Sequence, residues 1–180
     1  MINIIASRYA EALFQVGEES NSTTKLYEEL NAVLDILKSD KNFYNVLKSP
    51  LISKGEKKEI IENVFNNRIE NDLKNFFKIL IDKERISYLE LIQKSFKELL
   101  NEKNNIIEGK AITAIPMRKE EIKKLEENLS SKYNANIILE NIVDKTILGG
   151  VLVRLGNKEI DGTIKTRLEN LKQELSQVIS

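Results

Sequence analysis

The chain has 180 residues, with 28 basic and 28 acidic side chains and neither histidine, cysteine nor tryptophan. Without cysteine there is no disulfide and no thiolate metal site, and without histidine the usual general base and a common metal ligand are missing. The two signs of charge are interspersed, so the electrostatic footprint of a nucleic-acid binder is absent, and no apolar run approaches the roughly 20 residues that span a bilayer.

A chain of this length folds as one domain or two small ones and buries roughly two-thirds of its unfolded surface, enough for a core without staples. Its start, Met1 to Ala6, has no basic region and runs into an amphipathic pattern, so no signal peptide is expected. Residues 2 to about 105 read as helices only. The first, about Asn3 to Glu18, places Ile5, Tyr9, Leu13 and Val16 on one face beside Ala6, Ala10 and Ala12. The second, about Thr24 to Lys38, carries Leu26, Leu30, Val33 and Leu37 at helical spacing. A short third helix, Lys41 to Leu47, ends ahead of Pro50, because the residue before proline resists helical geometry. Ser53-Lys54-Gly55-Glu56 is a capping box for the fourth, which runs to about Asn66 with Ile60, Ile61, Val64 and Phe65. The fifth, about Asn71 to Lys83, bears Leu73, Phe76, Phe77, Leu80 and Ile81. Ser87 to Glu90 reads as the cap of the sixth, with Ile86 stapled to Leu91, and that helix continues through Ile92, Phe96, Leu99 and Leu100. Six amphipathic helices with short connections fit a bundle.

The polar run Asn101 to Asn105 marks a change of pattern and a domain boundary. A strand follows from Ile106 to Ile115, stopped by Pro116. Then come a helix from about Arg118 to Lys132 (Ile122, Leu125, Leu129), a strand from about Asn136 to Val143, a hairpin and a last helix. In the hairpin, Gly149-Gly150 opens the strand Val151 to Leu155, Gly156-Asn157 is a two-residue turn, and Lys158 to Ile160 returns. Asp161 and Gly162 stop the return arm, and Asp161 can cap the helix beyond. That helix carries one stripe, Ile164, Leu168, Leu171, Leu175 and Val178. A stripe of this length could meet another chain, but packing on its own sheet is the expected role. The fold class is therefore α+β in two domains: a six-helix bundle over residues 1–105, then a small α/β domain with a glycine-containing hairpin over 106–180.

Candidate chemistry is thin. The glycines precede a helix, as in phosphate-binding turns, but neither G-x-x-x-x-G-K-[ST] nor a strand–G-x-G-x-x-G–helix pattern occurs. They are read as allowing a tight hairpin and close backbone approach. The adjacent carboxylates Glu18-Glu19, Glu28-Glu29, Glu120-Glu121 and Glu126-Glu127 lie beside lysines on helices and read as solvated charge. Asp144 and Asp161 flank the hairpin and are better explained by turns and caps than by a metal. Arg154 could pair with a carboxylate or face a partner. No catalytic residue, cofactor or metal site is expected.

One set of motifs carries a family resemblance. Val143-Asp144, Leu148-Gly149-Gly150, Arg154, Gly156 and Ile160-Asp161-Gly162-Thr163 resemble the C-terminal signature of the delta subunit of F-type ATP synthases, called the oligomycin-sensitivity-conferring subunit in mitochondria. Arg8-Tyr9-Ala10-Glu11-Ala12-Leu13 resembles that family's opening, and Asn75 to Leu80 followed by Arg85 to Leu89 its mid-chain helix junction, with Lys83-Glu84-Arg85 where Asn-x-Arg is usual. The resemblance spans the whole chain in order. It implies a non-catalytic peripheral-stalk adaptor, attached indirectly to the cytoplasmic side of the cell membrane, that resists torque during proton- or sodium-driven ATP synthesis. The N-terminal domain would take an amphipathic N-terminal helix of the alpha subunit in a groove between its first and fifth helices, lined by Tyr9, Ala12, Leu13, Phe76 and Leu80. The C-terminal domain would meet the b subunits of the stalk. No nucleic acid and no small-molecule substrate are implied. Leu13, Phe76 and Leu80 read equally well as bundle core; Tyr9 and Ala12 lie to one side of Leu13 and are the better surface candidates. The alternative is a two-domain interaction module for an amphipathic helix of some other partner.

Overall fold

The computed structural model describes residues 2–66 and 68–179; of Ile2 and of residues 174–179 it describes the backbone alone. Two compact units divide between Leu100 and Asn101. The first contains α1 (Ile2–Glu19), α2 (Thr23–Ser39), α3 (Lys41–Lys48), α4 (Lys54–Phe65), α5 (Asn71–Asp82), a 3-10 turn (Ile86–Tyr88) and most of α6 (Leu89–Lys103). The second contains β1 (Ile106–Thr113), α7 (Lys119–Tyr133), β2 (Asn136–Val143), β3 (Gly150–Leu155), β4 (Lys158–Thr163) and α8 (Ile164–Ile179). The chain is thus α+β, with eight α-helices and a four-stranded mixed sheet among the described residues.

The helical core follows the apolar periodicity. Leu26, Leu30, Val33 and Leu37 of α2 are all buried, as are Leu73, Phe76, Phe77, Leu80 and Ile81 of α5. Each such side chain contributes roughly 1.5–3 kcal/mol of burial. Local chemistry sets the helix starts. Asp40 accepts the Asn42 and Phe43 N–H groups ahead of α3, and the Ser53–Glu56 capping box forms ahead of α4. The start of α6 differs from expectation. The 3-10 turn runs directly into it, so Ser87 lies inside helical backbone and not at a cap; Ile86 is buried, whereas Leu91 is 37% exposed.

On α1 the apolar face divides. Its buried line is Ala6, Ala10, Leu13 and Gly17, whereas Ile5 and Tyr9 are half-buried and Val16 is 39% exposed. The small residues thus serve close packing within this unit, where a bulkier line would hold α1 away from the core.

In the second unit the strand order is β2-β1-β3-β4. β1 and β2 are parallel, joined by the α7 crossover; the β1–β3 and β3–β4 pairs are antiparallel. Ile137 and Leu139, Ala111, and Val153 and Leu155 alternate onto the face covered by Leu129 of α7. β2 is an edge strand, and α7 protects it. Ser130 Oγ accepts the Ile137 N–H at 3.0 Å and Glu126 Oε1 accepts the Leu139 N–H at 2.7 Å. Unpaired edge N–H groups invite foreign strands, so these bonds blunt the edge. Glu126 is therefore not merely a solvated charge; nor is Glu29, whose carboxylate accepts the Glu70 N–H at 2.8 Å.

The hairpin turn is Gly156-Asn157, with Leu155 opposite Lys158. Gly156 has φ +54°, the positive angle that the first position of a type II′ turn needs. β4 is longer than its sequence suggests: Gly162 pairs with Val151 and Thr163 with Gly150, so the ladder runs through the residues expected to end it. β1, conversely, ends at Thr113, whose hydroxyl donates to the Ile115 carbonyl as the chain turns away.

Candidate partner-binding surfaces

The five residues proposed for a helix-binding groove fall into two layers. Leu13, Phe76 and Leu80 are buried, at 2%, 6% and 0% exposure. Tyr9 is half-buried and Ala12 exposed. Tyr9 and Ala12 line an open cavity of about 330 Å³ together with Ile5, Arg8 and Arg85. Ile5, Tyr9, Ala12 and Val16, spaced four, three and four, form a second stripe on α1 beside the buried one.

Tyr9 is held from two sides. Its ring meets Phe76 edge-on, with centroids 6.2 Å apart at 70°. Arg85 Nη1 donates to its hydroxyl at 3.0 Å, and the guanidinium carbon sits 5.4 Å from the ring centroid. The turn after α5 positions Arg85: Glu84 adopts φ +57°, and the Arg85 N–H donates back to the Leu80 carbonyl at 2.8 Å. The result is an apolar strip with a fixed aromatic and a guanidinium at its side. Arg85 and Ile5 join the groove only in the folded chain. The signal for Arg85 is its place directly after α5, but its partner Tyr9 lies 76 residues away in sequence.

In the second unit an apolar surface lies around the hairpin. Ile115 is 74% exposed and Leu148 78%. They line a cavity of about 680 Å³ that also includes Pro116, Met117, Ile164 and Arg167. The α8 stripe continues it: Ile164, Leu168 and Leu171 are 48%, 59% and 49% exposed. This corrects the expectation that the stripe packs on its own sheet. α7 already covers the buried face of the sheet, and α8 departs from the end of the edge strand β4. The side chains of Leu175 and Val178 lie outside the described residues.

The polar residues of the hairpin stabilise it locally. Arg154 Nε donates to Glu159 Oε2 at 2.7 Å, an ion pair between directly opposed residues of β3 and β4. Asp144 accepts from the Thr146 hydroxyl and N–H, and Asp161 accepts from the Thr163 N–H and the Thr166 hydroxyl. Those hydrogen bonds hold both carboxyl groups below the usual aspartate value, through the Thr146 hydroxyl first for Asp144 and the Thr163 N–H first for Asp161. Asp161 thus organises the start of α8 from three residues before it.

Residues 5–175 match the family model described as the ATP synthase delta (OSCP) subunit. The chain is 61% identical to the ATP synthase subunit delta of Clostridioides difficile strain 630, over the whole of both chains. It is 41% identical to the subunit of the same name from Alkaliphilus oremlandii strain OhILAs, over 99% of each. Among solved structures, a chain of the Toxoplasma gondii mitochondrial ATP synthase hexamer shares the fold at TM-score 0.68 and 22% identity, covering 94% of this chain and 96% of that one. A chain of the Polytomella F-ATP synthase matches at TM-score 0.50 and 22% identity over 53% of this chain and 84% of its own.

Proposed function

The chain belongs to the ATP synthase delta (OSCP) subunit family, non-catalytic subunits of F-type ATP synthase, and from that premise we propose how its two units divide the work. Residues 1–105 grip the catalytic head by taking the amphipathic N-terminal helix of the alpha subunit. Residues 106–180 grip the b subunits of the peripheral stalk. The chain then joins the head to the stalk at the cytoplasmic face of the cell membrane and resists the torque of the turning rotor. Its own contribution to proton- or sodium-driven ATP synthesis is binding free energy held at two interfaces. Among the described residues no helix is long and apolar enough to cross a membrane, in keeping with attachment through the complex.

The observation that carries the head-binding role is the second stripe of α1, whose Ala12 and Val16 are exposed and whose Ile5 and Tyr9 are half-buried. An amphipathic helix laid along Ile5, Tyr9, Ala12 and Val16 covers apolar surface that the unit itself leaves open. Tyr9 and Ala12 touch it directly; Leu13, Phe76 and Leu80 are the floor that keeps Tyr9 in place. Ala12 admits close approach, and Arg85 offers a cation to an acidic flank of the incoming helix. For the stalk, the exposed Leu148, Ile164, Leu168 and Leu171 supply the apolar face.

The test is calorimetric titration of the full chain with the N-terminal helical peptide of the alpha subunit from the same organism. One-to-one saturable binding is expected, weakened at least about tenfold by Ala12→Glu, which sets an unpaired charge in the contact. No binding to folded protein, or unaltered binding to Ala12→Glu, would shift the reading to a two-domain module with another helical partner.

A further inference from the structure

The cover that α7 gives the sheet ends short of one corner. Val153 and Leu155 of β3 are buried in the core beneath α7. Val151, two residues earlier on the same face, is only half-buried, as is Ile160, which opposes Val153 on β4. Gly162 opposes Val151 and is exposed. A Cβ at Gly162 would meet only Val151, its carbonyl oxygen at 3.1 Å and its Cγ1 at 3.9 Å, so no other residue fills the space above it. This corner is the floor of the cavity of about 680 Å³. One wall is the Ile115–Met117 turn that leads into α7, and the other is Ile164 and Arg167 of α8. The result is a slot between the starts of the two helices, apolar at its floor and at its exposed lip, Leu148.

The rim of the slot is positive. Its acid, Glu121, is held by Arg118 at 2.7 Å, and Arg167 stands exposed on the opposite wall. Along α8, Arg167 lies on one flank of the Ile164–Leu168–Leu171 stripe and Lys165 and Lys172 on the other. A second copy of this chain is a poor occupant, because a two-fold contact would set rims of the same sign against each other. An added strand is also disfavoured at the β4 edge, where the Asp161 carboxylate already takes the Thr163 N–H at 2.8 Å and leaves the edge charged.

We propose that the slot seats one amphipathic helix of a partner protein, with a large apolar side chain over Gly162 and a carboxylate against Arg167. The helix completes the layer that α7 begins, and its apolar seam is flanked by acidic residues that match the cations of α8. The inference rests on the stalk-gripping role given above to residues 106–180, and it specifies where that grip lies and what chemistry it selects.

The experiment titrates the full chain with the soluble segment of the b subunit from the same organism, at low and at high salt. Saturable binding is expected. Leu148→Asp, at a position 78% exposed and so without cost to the fold, should weaken it about tenfold or more by setting a charge in the apolar contact. Arg167→Glu should weaken it several-fold at low salt, and the loss should shrink as salt rises, which a merely structural defect would not show. Binding undiminished in both variants would overturn the slot alone and leave the stalk-gripping role standing. Absence of binding to the folded parent chain would overturn that role and the slot with it. Sedimentation showing that the parent chain dimerises and that Leu148→Asp does not would overturn the proposal in favour of a second copy in the slot.

Discussion

Replacing Gly150 by valine tests the division into two units. Gly150 has φ +83°, and a Cβ there would lie 2.4 Å from the Gly162 carbonyl oxygen and 2.9 Å from the Thr163 Cα. Both obstacles are backbone of the paired strand β4, so no side-chain rotation relieves them. The backbone conformation alone costs a β-branched residue about 1–2 kcal/mol. Forcing β3 and β4 apart adds about 1–3 kcal/mol on the scale of overpacked cores. A unit the size of residues 101–180 has about 4–12 kcal/mol of stability in all, so the substitution removes a large share of it. The helical unit has its own core, which contains Phe65, Phe77 and Phe96. Amide spectra during urea titration should show Val153 and Leu155 unfolding at lower denaturant than in the parent, with the midpoints of Leu30 and Phe77 unchanged. A single shared transition, shifted equally for both sets, would refute the reasoning.

Other substitutions separate packing from recognition. Ala10→Leu, at a fully buried position of α1, should cost about 1–3 kcal/mol in urea denaturation, whereas Ala12→Leu two residues on should stay within about 0.5 kcal/mol. Leu168→Asp, on the exposed stripe of α8, should leave the melt within about the same margin yet reduce co-sedimentation with stalk-bearing membranes stripped of the native subunit; undiminished recovery would remove α8 from the stalk contact. The lowered carboxyl groups of Asp144 and Asp161 predict acid sensitivity of the second unit. Their folded values lie below their unfolded ones, so their contribution is complete above the usual aspartate range and is lost as pH falls through the folded values. Denaturation midpoints measured between pH 7 and 3 should fall on acidification, and less steeply in Asp161→Asn.

Sequence alone determined the local elements. The α2 and α5 stripes, the Ser53–Glu56 cap, the Gly156-Asn157 turn and the bounds of β2 were legible because each depends on residues within a few positions of one another. The motifs that point to the family lie in the same short stretches. Tertiary structure decided what covers each apolar face. Periodicity placed Ile5, Tyr9, Leu13 and Val16 on one face of α1 beside the alanines, but only the packing decided that Ala6, Ala10 and Leu13 are enclosed while Ile5 and Tyr9 are half-buried and Val16 is exposed. The α8 stripe was expected to lie on its sheet; α7 had already occupied that face. The Glu126 carboxylate of α7 against the Leu139 N–H of the edge strand, and Arg85 against Tyr9, are likewise meetings of residues apart in sequence. A helical repeat states that a face is apolar, but only the packing of the whole chain determines which face is enclosed and which is left for a partner.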